Sequence, residues 1–447
     1  MLITNAKLIT WTNPNQILTD HALMIENGKI ADIGADKELK DKYREEEMID
    51  AKGQYVMPGN ICAHTHFYSA FSTGMSIPGS APKDFPEILS KLWWKLDKSL
   101  SLESIRYSAL VCLIDAIRHG TTTLFDHHAS PNAISGSLEE IAEAVDQAGV
   151  RASLCYEVTD RDGIDKAKTG IEENMRFIDF VINNKNTSGR LAATFGLHSS
   201  LTLSEKTLEA SRNAAPDGIG FHIHAAEHPG DEFDSLGRSG MRVVDRLQKH
   251  GILNSKSILV HGVHLDAKEI DLVSRAGAWI VHNPRSNMNN AVGLPPVESI
   301  IRMGVKVCLG NDGFSNNMWE EWKTAYLAHK LWHHDPRCVG GYDLIKMAVY
   351  NNSDLAQAHF GKKIGILTKG AEADLIIVNF HPHTPLTVDN LPWQMLFAFR
   401  DTMVTTTIVA GKVLMHNGEL ATLDEEKIYR EAQNIAPAVW RRFNNQS

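Results

Sequence analysis

The sequence predicts an α/β fold: a (β/α)8 barrel of the TIM type, with a small β-sandwich-like domain built from both chain ends. Three observations carry that expectation. Eight short apolar runs alternate with helical segments at about 30–40 residues per unit, the rhythm of βα units in a parallel sheet. Almost every run ends on a histidine or an acid. Short β-like pieces flank this array at both ends of the chain.

Residues 1–54 contain β-like pieces at Met1–Thr10, Ala22–Glu26 and Lys29–Ile33, with a hairpin signal at Glu26-Asn27-Gly28-Lys29. The apolar runs follow. Tyr55–Ile61 leads into His64-Thr65-His66, Thr121–Phe125 into Asp126-His127-His128, and Val150–Tyr156 into Glu157. Leu191–Leu197 ends at His198, and Ile219–Ile223 carries His222 and leads into His224. Ile258–Val260 ends at His261, Trp279–Val281 at His282, and Val305–Gly310 at Asn311-Asp312. In such a barrel the C-terminal strand ends converge on the face that carries active sites, so these polar residues should meet there.

Helix ends are legible between the runs. Leu138–Gln147 stops before Gly149, Asp266-Ala267-Lys268-Glu269 reads as a capping box, and Pro295-Pro296 opens a helix that closes at Gly304. The stretch from Phe67 to Leu100 has no strand periodicity, carries Trp93 and Trp94, and is the candidate lid. Beyond the barrel, Asp374–Phe380 and Thr405–Leu414 resume the β texture, and Glu425–Arg442 reads as a surface helix. The expected division is 1–57 and 365–422 for the small β domain, 58–364 for the barrel, and 423–447 for a C-terminal helical segment.

Length alone would suit two or three domains, but a barrel of about 250 residues with an appended unit fits equally well. A net charge of -9 offers no basic face for nucleic acid. No run of about 18 apolar residues exists to span a membrane. The N-terminal MLITNAKLITW lacks the pattern of a signal peptide. Five dispersed cysteines (Cys62, Cys112, Cys155, Cys308, Cys338) without a C-x-x-C pair point to reduced thiols and a cytoplasmic setting.

His64 and His66 stand two apart on a strand and so point to one face, where two imidazoles can grip one ion. A single pair of this kind is equally compatible with polar residues at a strand end; its repetition at His222 and His224 makes chance a poorer account. Spacing leaves open which of these two faces the ion. Asp312, alone, would read as a turn residue between glycines. At the end of the last strand, beside the first, it becomes a carboxylate ligand and proton acceptor. Glu227, three residues after His224, is either a helix-capping surface acid or a general acid/base. His261 is either a satisfied core histidine or a group that polarises the reacting centre.

Taken as a set, these residues resemble the metal-dependent amidohydrolase superfamily, in the branch of guanine, cytosine, chlorotriazine and S-adenosylhomocysteine deaminases. The resemblance is carried by Val56-Met57-Pro58-Gly59-Asn60 before His64-Thr65-His66, and by Phe221-His222-Ile223-His224-Ala225-Ala226-Glu227. Val260-His261-Gly262, His282-Asn283-Pro284-Arg285-Ser286-Asn287 and Gly310-Asn311-Asp312-Gly313 complete it. Within the branch, His127-His128 and the Trp93-Trp94 segment are most similar to SsnA-like aminohydrolases.

The resemblance implies His64, His66, His224 and Asp312 as metal ligands, Glu227 as proton shuttle and His261 as the polarising residue. His198, His128, Trp93 and Trp94 are the expected substrate contacts, while His282 and Glu157 would orient the site. No lysine stands in Leu191–Leu201 to bridge two metals, so one divalent ion is expected: zinc first, with iron or manganese also suited to nitrogen and oxygen ligands. The implied reaction is hydrolytic: Asp312 takes a proton from water at the metal, an sp² ring carbon is attacked, and Glu227 protonates the ring nitrogen as ammonia leaves. A purine-like or other nitrogen heterocycle is the expected substrate. The alternatives are ring opening of a cyclic amide or ureide, halide displacement from a triazine, or a non-catalytic barrel scaffold. A small heterocycle is the expected partner, with neither nucleic acid nor membrane, and a homodimer is the expected assembly.

Overall fold

The computed structural model describes residues 1–183 and 188–446. Two parallel sheets form its centre. One contains β1 (Asn60–Thr65), β2 (Thr121–Asp126), β3 (Arg151–Leu154) and β4 (Leu191–Ala193). The other contains β5 (Phe195–Ser199), β6 (Phe221–Ala225), β7 (Ile258–His261), β8 (Trp279–His282) and β9 (Lys306–Leu309). Every neighbouring pair is parallel, and almost all of these strand residues are buried, as a sheet covered on both faces requires.

The sheets meet at two seams. Only Thr194 separates β4 from β5, and Val158, beyond β3, bridges Leu197 in β5. At the other seam Thr65 bridges Asp312, with His66 N–H donating to Asp312 O at 2.7 Å and Asn311 N–H to His64 O at 2.9 Å. β9 is thereby joined to β1, which brings Asp312 beside His64 and His66.

Both chain ends contribute to a separate nine-stranded sheet in which Tyr55–Pro58 pairs antiparallel with Leu375–Val378 and parallel with Leu2–Ile9. The run read as a single strand over Tyr55–Ile61 therefore divides: Tyr55–Pro58 belongs to the nine-stranded sheet, and β1 starts at Asn60. Gly59 makes the switch sterically, because a Cβ there would lie 2.2 Å from Thr122 Cγ2. A buried ion pair ties the two bodies together: Arg151 on β3 donates to Asp374 Oδ2 at 2.8 Å and Glu372 Oε2 at 3.0 Å. Removing one member of such a pair would leave a buried charge, at a cost of about 3–5 kcal/mol.

The helix signals reappear as geometry. Asp266 and Glu269 form the reciprocal capping box, and the helix ends on Gly277 at φ 68°. Ser137–Ala148 ends on left-handed Gly149. Between Phe67 and Leu100 the chain forms a short 3-10 turn at Phe67–Ser72 and a helical stretch over Phe85–Lys98. The C-terminal helix Glu425–Asn444 buries Ile428, Val439 and Phe443, and its Trp440 indole donates to Phe71 O at 2.9 Å. It thus supports the base of the candidate lid. Among the described residues no cysteine is disulfide-bonded and no helix is long and apolar enough to cross a membrane.

Candidate metal centre

His64, His66, His224 and Asp312 come together at the C-terminal strand ends, with one ligand atom from each lying within 4.8 Å of the others. Asp312 Oδ1 stands 3.1 Å from His64 Nε2 and 2.9 Å from His66 Nε2, and the Nε2 atoms of His66 and His224 are 3.3 Å apart. Ligands at about 2.1 Å from a tetrahedral ion would be spaced by about 3.4 Å, so the cluster has the right size.

Hydrogen bonding sharpens this fit. His66 Nδ1 donates to His127 O at 2.5 Å and His224 Nδ1 to His198 O at 2.9 Å. In a neutral imidazole the other nitrogen then carries a lone pair. Two lone pairs and a carboxylate oxygen consequently face one point, an arrangement that a cation would satisfy. Without one the group seeks a proton: burial opposes protonation of His66, yet the Asp312 carboxylate pulls it up to about 9. Burial first, then the neighbouring His127, His64 and His66, takes His224 well below its ordinary range. Against burial, contacts with His64 and His66 hold Asp312 well below the usual carboxylate range. Ser286 donates to the other Asp312 oxygen and fixes its plane. Asp312 itself has φ 60° and His261 φ 72°, left-handed conformations that non-glycine residues store at functional sites.

The choice that spacing left open is decided by the ring positions. His222 Nε2 contacts His64 Nδ1 at 2.9 Å, and its Nδ1 faces Cys155 Sγ at 3.9 Å. His222 is thus an outer partner that orients His64, while His224 faces the cluster. A second group of possible ligands, His66, His127, Glu157 and His224, also lies together. The Nδ1 atoms of its His66 and His224 are committed to carbonyls, so it is better described as a polar wall: Glu157 Oε1 stands 3.0 Å from His127 Nδ1.

A cleft of ≈ 720 Å³, including its open mouth, lies over the cluster. His66, His224, Asp312, Glu227, His261 and His198 all line it, as do Trp93 and Trp94 from the candidate lid. Glu227 Oε2 is 3.4 Å from His261 Nε2, and the Asn290 side chain lies beside the carboxyl group. Burial first, then the Asp312 charge, pushes the Glu227 carboxyl well above its ordinary range. His261 Nδ1 donates to Asn287 Oδ1 at 2.8 Å, leaving the Nε2 lone pair toward Glu227 and the cleft. His198 is tied to Thr202 Oγ1 at 2.7 Å, and burial drops its pKa to about 3, so it stays neutral.

Other expected residues lie elsewhere. His128 is fully buried, its Nε2 2.9 Å from Ser130 Oγ, and it does not line the cleft. Tyr68, its ring 6.1 Å from that of His128, does line the cleft. His282 pairs with His329 at 3.1 Å, and Arg285 is clamped by Glu320, Glu321 and Ser315. Sequence reasoning missed Tyr68, Asp97, Arg161 and Asn290, which also line the cleft. Asp97 and Arg161 form a buried ion pair at 2.8 Å, with the guanidinium 5.0 Å from the Trp94 ring. No motif marked them, since they meet only through folding of the candidate lid against the segment after β3.

A nitrogen-and-carboxylate cluster at the C-terminal ends of parallel strands, under a cleft lined by the buried Glu227, is a set of groups that could hold a divalent ion. The chain belongs to the amidohydrolase family, whose model matches residues 55–414. Among curated relatives, a 5-methylthioadenosine/S-adenosylhomocysteine deaminase of Acetivibrio thermocellus is 30% identical, covering 99% of this chain and 100% of its own. A 5'-deoxyadenosine deaminase of Methanosarcina mazei is 31% identical, over 100% of this chain and 99% of its own. In fold, the chain is similar to an adenosine deaminase from Xanthomonas campestris with bound zinc (TM-score 0.84, 23% identity, 100% of this chain and 98% of that one). It is also similar to E. coli guanine deaminase (TM-score 0.79, 20% identity, 93% of this chain and 99% of that one).

Proposed function

We propose that this protein is a metal-dependent aminohydrolase that removes an amino group from a purine-like heterocycle as ammonia. One observation carries the reading: the buried Glu227, its Oε2 3.4 Å from His261 Nε2, shares a cleft with the His64, His66, His224 and Asp312 cluster. A buried carboxyl group beside a metal site suits a reaction in which a ring nitrogen must gain a proton. The deaminases of adenosine derivatives among the relatives support the purine class.

His64, His66, His224 and Asp312 would hold one divalent ion, zinc by donor set, with iron or manganese as alternatives. Such an ion lowers the pKa of water from 15.7 to about 7 and polarises the atom under attack. The remaining steps belong to the chain. Asp312, kept ionised, accepts the proton of the attacking water. The Nε2 lone pair of His261, aimed by Asn287, accepts a hydrogen bond from that water and directs it, which refines the expectation that His261 polarises the ring. Glu227 delivers its proton to the ring nitrogen beside the reacting carbon; the proton taken up by Asp312 then passes to the amino group, which leaves as ammonia, while the new hydroxyl returns a proton to Glu227 as the carbonyl forms. Trp93 and Trp94 offer flat apolar faces to a heterocycle and limit water at the cleft mouth.

The parallel sheets are best read as one closed eight-stranded barrel, with β4 and β5 as a single strand interrupted at Thr194. Both seams support this, as does the fold of the structural relatives. The nine-stranded sheet is the small β domain of the expected division.

The test is incubation of the metal-loaded protein with 5'-methylthioadenosine, S-adenosylhomocysteine, 5'-deoxyadenosine, adenine and guanine, following ammonia and product mass. Ammonia release with exchange of NH for oxygen is expected. A gain of water without ammonia would overturn deamination in favour of ring opening.

A further inference from the structure

The cleft is lined by five carboxylates, Asp97, Glu157, Glu227, Asp231 and Asp312. Four have evident employment. Asp312 belongs to the metal cluster and Glu227 to proton transfer. Asp97 is paired with Arg161 at 2.8 Å. Asp231 accepts from Leu201 N–H and Ala226 N–H, both at 2.9 Å, and so ties two loops together.

Glu157 is left. Its side chain is 3% exposed, and among the described residues no lysine or arginine pairs with it. Its close neighbours are His127 Nδ1 and His66 Nδ1, 3.0 and 3.9 Å from Oε1, and His198 Nε2, 3.9 Å from Oε2. The position is rigid, because Glu157 N–H donates to His128 O at 2.7 Å and holds the end of β3 against that of β2. Oε1 has His127 beside it, but among the described residues no ion-pair partner stands closer to Oε2 than His198 Nε2 at 3.9 Å, and an acceptor so placed at a cleft wall is unfavourable until a donor arrives.

The geometry points to Glu157 as a substrate-recognition residue whose carboxylate accepts a ring N–H of the heterocycle. This rests on the aminohydrolase reading above. Glu157, after β3, and Glu227, after β6, flank the cluster: Glu157 Oε1 is 3.9 Å from His66 Nδ1, and Glu227 Oε2 is 3.4 Å from His261 Nε2. A ring with its reacting carbon at the cluster turns one edge to each. In a purine whose six-membered ring nitrogen meets Glu227, the edge toward Glu157 is the imidazole edge. A free base can place an N–H there. An N9-substituted purine presents a lone pair, which a carboxylate repels. The site therefore favours free bases over N9-substituted ones.

Binding of adenine, 9-methyladenine and 7-methyladenine to the metal-loaded full chain, by calorimetry, tests this. Adenine is expected to bind about ten- to a hundredfold more tightly than either methylated base, the range of a hydrogen bond to a charged group. In Glu157→Gln, whose amide can also donate, the gap over 9-methyladenine should shrink to about threefold or less. Metal content should stay at the wild-type level. No preference in the wild type, or an unchanged preference in E157Q, overturns the assignment; so does loss of metal with uniformly weakened binding, which would mark Glu157 as structural. If E157Q does not fold, Glu157→Asp keeps the charge on a shorter stem and should retain a reduced preference, equal affinities or an unreduced preference being contrary results. Ammonia release is followed in parallel. No ammonia from any purine, with the preference and its loss intact, overturns the aminohydrolase reading alone.

Discussion

His222 Nε2 lies 2.9 Å from His64 Nδ1, on the side of that ring turned away from Asp312. The bond fixes the orientation of His64 while keeping its Nε2 directed at the cluster. Partners of this kind are worth about 10–100-fold in metal affinity. His222→Ala should therefore retain a metal-binding site weakened by about that factor, measured by competition with a chelator. His224→Ala, on the same strand, should lose the ion outright. Equal losses in the two variants would contradict the division of roles.

His64→Ala and Asp312→Ala should each empty the site, read as metal per chain, and reduce turnover to background. Unchanged metal content in both would sink the ligand assignment. Chelation of the wild type should lower its thermal midpoint, since an ion bound only by the folded state stabilises it by mass action.

Glu227→Gln separates activity from stability. Turnover should fall about 10²–10⁴-fold, the usual contribution of a general acid. The stability effect has a definite sign. Burial raises the folded-state pKa of Glu227 above its ordinary 4.5, so the folded state holds the proton more tightly than the unfolded chain. That contribution is complete below the unfolded value and is lost as pH rises through the folded one. Glutamine has no such proton to lose, so the variant should gain stability relative to wild type as pH rises. Thermal midpoints at pH 5 and pH 8 check this; a gain at pH 5 that vanishes at pH 8 would reverse the argument. For the wild-type enzyme, the same proton predicts that turnover declines on the alkaline side.

Arg285, inside a motif of the candidate site, is a clamp rather than a substrate contact. It bonds Glu321, whose side chain is fully buried and whose carboxyl burial pushes to about 7 even beside the guanidinium. Arg285→Ala should cost about 2–4 kcal/mol in denaturant unfolding, allowing for partial exposure of the arginine, because it strands a buried acid. Metal content should not change. A stable variant with altered substrate affinity would refute the clamp.

Much of the site was legible because its signals are local. Period-two spacing puts His64 and His66 on one face, and residue type at a strand end needs no tertiary information to be noticed. The capping box at Asp266 and Glu269 and the glycine stop at Gly149 are equally local, and both appear as read. The apolar run Tyr55–Ile61 is continuous in sequence but divides at Gly59, because that switch depends on Thr122, a residue on another strand.

What the sequence by itself determined was the set of chemical groups: three histidines, the acids Glu227 and Asp312, and their order along parallel strands. What only the tertiary structure decided was direction. His222 and His224 have the same alternation, yet one backs His64 and the other faces the cluster. His128 and Glu157 both follow strand ends, yet His128 is buried away from the cleft while Glu157 reaches it. The physical reason is that sheet curvature, inter-strand register and helix docking set each side chain's aim, and these arise from contacts between residues far apart in the chain. Alternation along one strand gives parity, but where that face points depends on its neighbours.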